Sequence, residues 1–196
     1  VERQRVRDDE SVRLLVLAEP VDARSDEFSH EVADAVAELF GRESASLTGG
    51  LLRALRQAHA NLSEWNRRSL REHQVAVGLT CVAIRDGTAM IAQVGPGVVY
   101  VSGPSGLERL STEGEPAALP VGGPRPVDPQ FRSVPLAEHA LLLLSGDSER
   151  ALTPAAVGET LAAGPERALA DLFVRTRGLH DVTAVLVADL ADADDA

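Results

Sequence analysis

The sequence contains no lysine, so its 19 basic residues are all arginine, set against 30 acidic residues for a formal net charge of −11. A chain of that balance offers no cationic stripe to nucleic acid or to an anionic membrane surface, and reads as an acidic soluble protein. The missing lysine also removes any phosphate-binding Gly-x-x-x-x-Gly-Lys loop, and neither a Gly-x-Ser-x-Gly elbow nor a His-Glu-x-x-His helix occurs. Cysteine is almost as scarce. Cys81 stands alone, which excludes an intramolecular disulfide and makes the reducing cytoplasm the expected compartment. Set in an apolar run with no cationic neighbour, it reads as a small core residue rather than a nucleophile. No stretch reaches the roughly 18 apolar residues of a membrane span, and no signal-peptide pattern opens the chain. It starts on Val1, from which a trimmed chain or a domain of a longer protein is expected, and which offers no nucleophile for an amino-terminal-nucleophile hydrolase.

What is present is enough for a full core: 196 residues, 44% of them hydrophobic, which favours one domain over residues 1–190. The final ADADDA, residues 191–196, reads as a solvated acidic tail. The organising stretch runs from Gly78 to Val101. Arg85-Asp86-Gly87-Thr88 and Gly95-Pro96-Gly97 break it into three short strands, expected to follow one another as an antiparallel meander. Upstream, residues 1–10 are charged and aperiodic, and Val12 to Ala18 is an apolar run short enough for a buried strand.

Two helices come next. The first is expected over Glu27 to Phe40, capped by Ser25 and ended by Gly41, with Phe28, Val32, Val36, Leu39 and Phe40 on one face. The second, over Leu47 to Leu70, carries the stripe Leu51, Leu55, Ala58, Leu62 and Trp65, with His59, Arg67, Arg68, Arg71 and His73 toward solvent. His30 reads as a surface residue. Beyond Leu107 to Leu110, the Pro- and Gly-rich residues 111–129 read as a long irregular loop. Strands are expected at Gln130 to Leu136 and His139 to Leu144, then a polar break at Ser145-Gly146-Asp147-Ser148. Thr153-Pro154 and Gly164-Pro165 start two further helices, and Val182 to Leu190 makes a last strand. The order of elements is α+β: two antiparallel sheets flanked by helices, a four-layer α-β-β-α sandwich.

Five segments carry a family resemblance: VLAEP at Val16 to Pro20, GLTCVAI at Gly78 to Ile84, AQVGPGVVYV at Ala92 to Val101, LLLLSGDS at Leu141 to Ser148, and HDVTAVLV at His180 to Val187. Their order resembles the metal-dependent protein phosphatases of type 2C. There the corresponding strands end in Ala-Asp-Gly, lead from Gly-Thr-Thr to Val-Gly-Asp-Ser-Arg, end in Ser-Asp-Gly, and begin with Asp-Asn-x-Thr. The resemblance implies a type 2C-like sandwich and, in an active member, two Mg²⁺ or Mn²⁺ ions that share and activate a hydroxide for attack on phosphorus.

The positions that would hold those ions are altered. Glu19-Pro20 stands for Asp-Gly, with a longer acid and a rigid ring. Ser145-Gly146-Asp147 stands for Ser-Asp-Gly, which puts the aspartate one residue late and, on a strand end, on the opposite face. His180 replaces the metal aspartate, with Asp181 in place of asparagine. Pro96 lies where the Val-Gly-Asp-Ser-Arg turn had its polar groups. Neither the family's upstream Asn-Glu-Asp motif nor its phosphate-holding arginine is matched; Asp8, Asp9, Glu10 and Arg3, Arg5, Arg7 are the residues in that region. The expectation is a catalytically silent member with no metal cofactor, a pseudophosphatase that works in signalling by binding a protein partner such as a phosphoprotein or a kinase. The alternative is an active Mg²⁺- or Mn²⁺-dependent serine/threonine phosphatase with rearranged ligands, in which Glu19, Asp147 and Asp181 hold the metals. His180, Asp181 and Glu19 also form a conceivable soft-cation set, because imidazole suits Zn²⁺ better than Mg²⁺.

Overall fold

The structure is a computed structural model that describes all residues except 8, 9, 44, 45, 113–117, 180, 181 and 189–196. The acidic tail assigned to residues 191–196 therefore lies outside the described residues. The chain divides into two compact units, residues 1–97 with 111–134, and residues 98–110 with 135–196.

The first unit is built on β2 (Glu10–Pro20), β3 (Val77–Arg85) and β4 (Thr88–Val94), with β1 (Glu2–Arg7) on one edge and β7 (Gln130–Pro135) on the other. The antiparallel register sets Val16 opposite Cys81 and Cys81 opposite Ala92. Leu14, Ala83, Leu79 and Val94 follow on the same face, which period-two alternation turns toward the helices. Against it pack α1 (Asp26–Arg42) and α2 (Leu47–Arg68), through Val32, Val36, Phe40, Leu51 and Leu55. Burial of each such side chain stabilises the fold by about 1.5–3 kcal/mol. Cys81 is fully buried, and burial pushes its thiol up to about 12, as a core residue requires.

The second unit holds the sheet β6-β5-β8-β9, formed by β5 (Val98–Gly103), β6 (Gly106–Ser111), β8 (Ala140–Leu144) and β9 (Ala184–Ala188). Its helices are α3 (Gly146–Arg150), α4 (Pro154–Ala162) and α5 (Pro165–Arg175). Val98, Tyr100, Leu142 and Leu144 pack with Leu152, Val157 and Leu172. As expected, Thr153 caps α4, its Oγ1 accepting from Ala156 N at 3.1 Å, with proline in the first turn.

Several expectations need correction. The charged amino-terminal segment forms a strand, β1, because β2 offers it a full antiparallel partner. The three strands of the organising stretch are not one meander: β3 and β4 pair, but β5 belongs to the other sheet. Ser25 stands at the N-cap of α1 but its side chain makes no cap bond; fully buried, it donates from Oγ to Asp22 Oδ1 at 2.9 Å and accepts from Ala76 N at 3.0 Å. Gly41 does not stop α1, which continues to Arg42. Trp65 ends the α2 stripe 41% exposed, tilted against Phe28 with ring centroids 5.5 Å apart. His59 is not simply a solvent-side residue, since its Nδ1 is sealed from water and burial holds its pKa below 6.5. The polar break after β8 opens the short helix α3, where no helix is expected from the sequence. In the long loop, residues 118–129 contain no helix or extended strand, yet Val121 and Val127 are core residues. Val121 exchanges two backbone hydrogen bonds with Val77, and Asn66 Nδ2 donates to Gly122 O at 2.8 Å.

Candidate functional site

The altered motif positions of the first unit meet at one corner of its sheet, where β2 ends, β3 begins and β4 gives way to a turn. Pro20 is tolerated there for a specific reason. It sits opposite Val77, but Val21 N bonds Ala76 O at 3.0 Å, and Val77 spends its own backbone groups on Val121. In an antiparallel pair alternate residues exchange ladder bonds, so residue 20 has no donation to make and the missing N–H costs nothing.

Glu19 lies one residue earlier, opposite Gly78. Its side chain is partly buried and Oε2 is closed off from solvent. What stands over the corner is the Gly95-Pro96-Gly97 turn. A side chain added at Gly97 would meet Thr80 Oγ1 at 2.5 Å and come within 3.9 Å of Glu19 Oε2. The Pro96 ring lies on Gly78, so a Cβ there would stand 2.6 Å from Pro96 Cδ. Gly95 adopts φ +82° and has Gly78 Cα 2.7 Å from where its own Cβ would be. Only glycine satisfies both the left-handed backbone and that approach. The turn is also tied: buried Gln93 donates from Nε2 to Gly97 O at 3.1 Å, and Thr112 donates from Oγ1 to Gly95 O.

In the second unit, taken by itself, the altered motif lies in the segment after β8. Ser145 is the N-cap of α3, its Oγ accepting from Ser148 N. Gly146 and Asp147 then fall in the first turn of α3. The one-residue displacement of the aspartate therefore acts on a helix, where it rotates a position by about 100°, and does not flip it across a strand. Glu149 fixes α3: its Oε1 accepts from Tyr100 OH at 3.0 Å and from Arg109 Nε at 2.9 Å. Burial alone would raise the Glu149 carboxyl, but the bonds from Arg109 and Tyr100 outweigh it and hold it below the ordinary value. Tyr100 is pushed up, by burial first and then by the Glu149 carboxylate. This triad, whose other members lie 40 and 49 residues from Glu149, is not legible as a motif; a buried tyrosine on an apolar strand is the signal that calls for a polar partner.

His180 and Asp181 lie outside the described residues. Of the residues expected to hold metal, Glu19 is the one whose side chain the structure describes. Among the described residues no three His, Cys, Asp or Glu side chains converge as a metal site. Two hard divalent ions need several oxygen ligands and room for bound water. A carboxylate oxygen closed beneath a glycine-proline-glycine turn provides neither, so the described part of this corner does not fit such a pair.

Neither the protein-family models nor the curated proteins give a match to this sequence. Solved structures do. A bacterial serine phosphatase variant superposes with TM-score 0.78 at 18% identity, covering 96% of this chain and 90% of its own. The Streptococcus agalactiae serine/threonine phosphatase gives 0.77 at 15% identity over 96% and 92%. The Mycobacterium tuberculosis serine/threonine phosphatase PstP/Ppp gives 0.67 at 16% identity over 95% and 96%. The α+β fold of two antiparallel sheets and their helices is thus that of the type 2C phosphatases, as the five sequence segments implied.

Proposed function

We propose that this chain is a type 2C phosphatase-like domain that has given up catalysis and works as a binding or regulatory module in signalling, its partner a protein such as a phosphoprotein or a kinase. The observation that carries this reading is the Gly95-Pro96-Gly97 turn set over Glu19. Where the family resemblance calls for an aspartate followed by a flexible glycine and a polar turn, this chain has a longer acid, a proline, and a turn whose backbone and ring occupy the adjoining space. The fold likeness to serine/threonine phosphatases supports this reading of the scaffold. With no fit for Mg²⁺ or Mn²⁺ on the described residues, no hydrolytic step is assigned to them.

The test is calorimetric titration with Mn²⁺ and Mg²⁺, run beside turnover of a phosphoserine peptide at the same metal concentrations. The expected result is no saturable divalent binding and no turnover. Two divalent sites together with turnover, both lost in Glu19→Ala and in Asp147→Ala, would overturn the proposal and establish an enzyme with rearranged ligands.

A further inference from the structure

The second unit carries an apolar surface that the corner chemistry does not use. α5 buries Ala168 and Leu172 against its unit but leaves Leu169 49%, Phe173 70% and Val174 61% exposed. Between α5 and β9 runs a cleft of about 400 Å³, lined by Leu169, Phe173, Val182 and Ala184 among others. Among the described residues one charged side chain lines it, Arg177. Arg175 is engaged by Asp171 and Glu159, whereas Arg177 makes no ion pair among the described residues.

Beside this cleft the sheet is open. β9 ends the order β6-β5-β8-β9, so among the described residues it has a neighbour on one side only. Ser145 N bonds Thr183 O at 3.2 Å, and the register continues through Leu143 opposite Val185 and Leu141 opposite Val187. Antiparallel alternation then assigns the backbone groups of Val185 and Val187 to β8, and those of Ala184 and Leu186 to the open side. Edge strands are ordinarily guarded by charge, proline or a bulge; β9 reads AVLVA, with neither charge nor proline.

The geometry points to strand addition: β9 and the α5 cleft bind an extended segment of a partner protein in which apolar side chains alternate with acidic ones. Backbone bonds to Ala184 and Leu186 supply the pairing, apolar side chains enter the cleft beside Phe173, and a carboxylate meets Arg177. Charge decides between this occupant and a second copy of the chain. An isologous pairing places the same patch on both sides, so that Arg177 meets a cleft carrying the same cation, whereas an acidic segment complements Arg177. The inference uses the β9 side of the second unit, and so stands whether or not the Glu19 corner is silent.

The experiment is selection of a displayed library of short random peptides on the whole chain, followed by titration of the enriched peptides and sedimentation of the chain alone. Enriched peptides should alternate apolar residues with Asp or Glu. Methylation of every second peptide amide should abolish binding. Phe173→Asp, at a position exposed enough to fold normally, should remove binding, and Arg177→Glu should weaken it by on the order of tenfold while improving Lys-containing analogues. Enrichment of basic or helically spaced peptides, no enrichment, or binding indifferent to both substitutions would overturn the proposal. So would a dimer of the chain alone that Phe173→Asp dissolves, because the second copy would then be the occupant.

Discussion

Helices α2 and α5 are both amphipathic, but they spend their apolar residues differently. In α2, Leu51, Ala54, Leu55 and Ala58 are all but sealed, and Leu55 has no exposed surface. In α5 two residues are buried, and the largest apolar side chain, Phe173, points outward. Amphipathic patterning alone does not distinguish a helix that holds the fold together from one that keeps an apolar face for another molecule. The distinction lies in where the aromatic residue falls relative to the packed stripe.

The sharpest way to break this comparison is to truncate each stripe. Leu55→Ala should cost about 2–5 kcal/mol in urea-denaturation stability, the range for a buried leucine whose cavity collapses only in part. Phe173→Ser should change it by no more than about 0.5 kcal/mol. A large loss at Phe173 would mean that α5 is as much a packing element as α2.

Between these extremes stands Glu149. Glu149→Gln weakens two charge-assisted bonds, and should cost about 1–3 kcal/mol. The sign of its pH dependence follows from a folded-state carboxyl held below 4.5. Its contribution is complete above 4.5 and is lost as pH falls through the lowered folded value. The variant should therefore lose less stability than the wild type between pH 5 and the acid transition, as circular dichroism melts at stepped pH would show.

The smallest effect belongs to His59, whose neutral form is favoured by burial. Its contribution is present above 6.5 and falls away as pH drops toward the lowered folded value. His59→Gln should flatten that part of the stability profile and leave the acid limb governed by Glu149 in place.

Much of this fold was legible because its elements announce themselves locally. The α2 stripe, the β3–β4 hairpin signal Asp86-Gly87 and the Thr153-Pro154 helix start each need no distant partner to be read. What escaped reading depends on distant partners. β1 is a charged edge strand that pairs along its whole length with β2, a partner that no local pattern reveals. α3 is five residues long, too short for any periodicity. The change of sheet between β4 and β5 is invisible because Gly95-Pro96-Gly97 resembles a hairpin turn equally well. The candidate corner was half legible. Its replaced residues stood out against the family motifs, but the close approach of that turn to Gly78 and Glu19 is a matter of backbone distance, which residue identity does not encode.

That approach also limits how the corner could ever be rebuilt. Alanine at position 78 collides with Pro96, and alanine at position 95 collides with Gly78 while straining its own backbone. The two glycines are locked in sequence space, Pro96 forbidding change at Gly78 and the Gly78 backbone forbidding it at Gly95. A directed-evolution library restricted to Glu19 and Pro20 would vary the floor of the corner under a fixed roof. A lineage that placed a metal site at this corner would first have to replace the turn as a block.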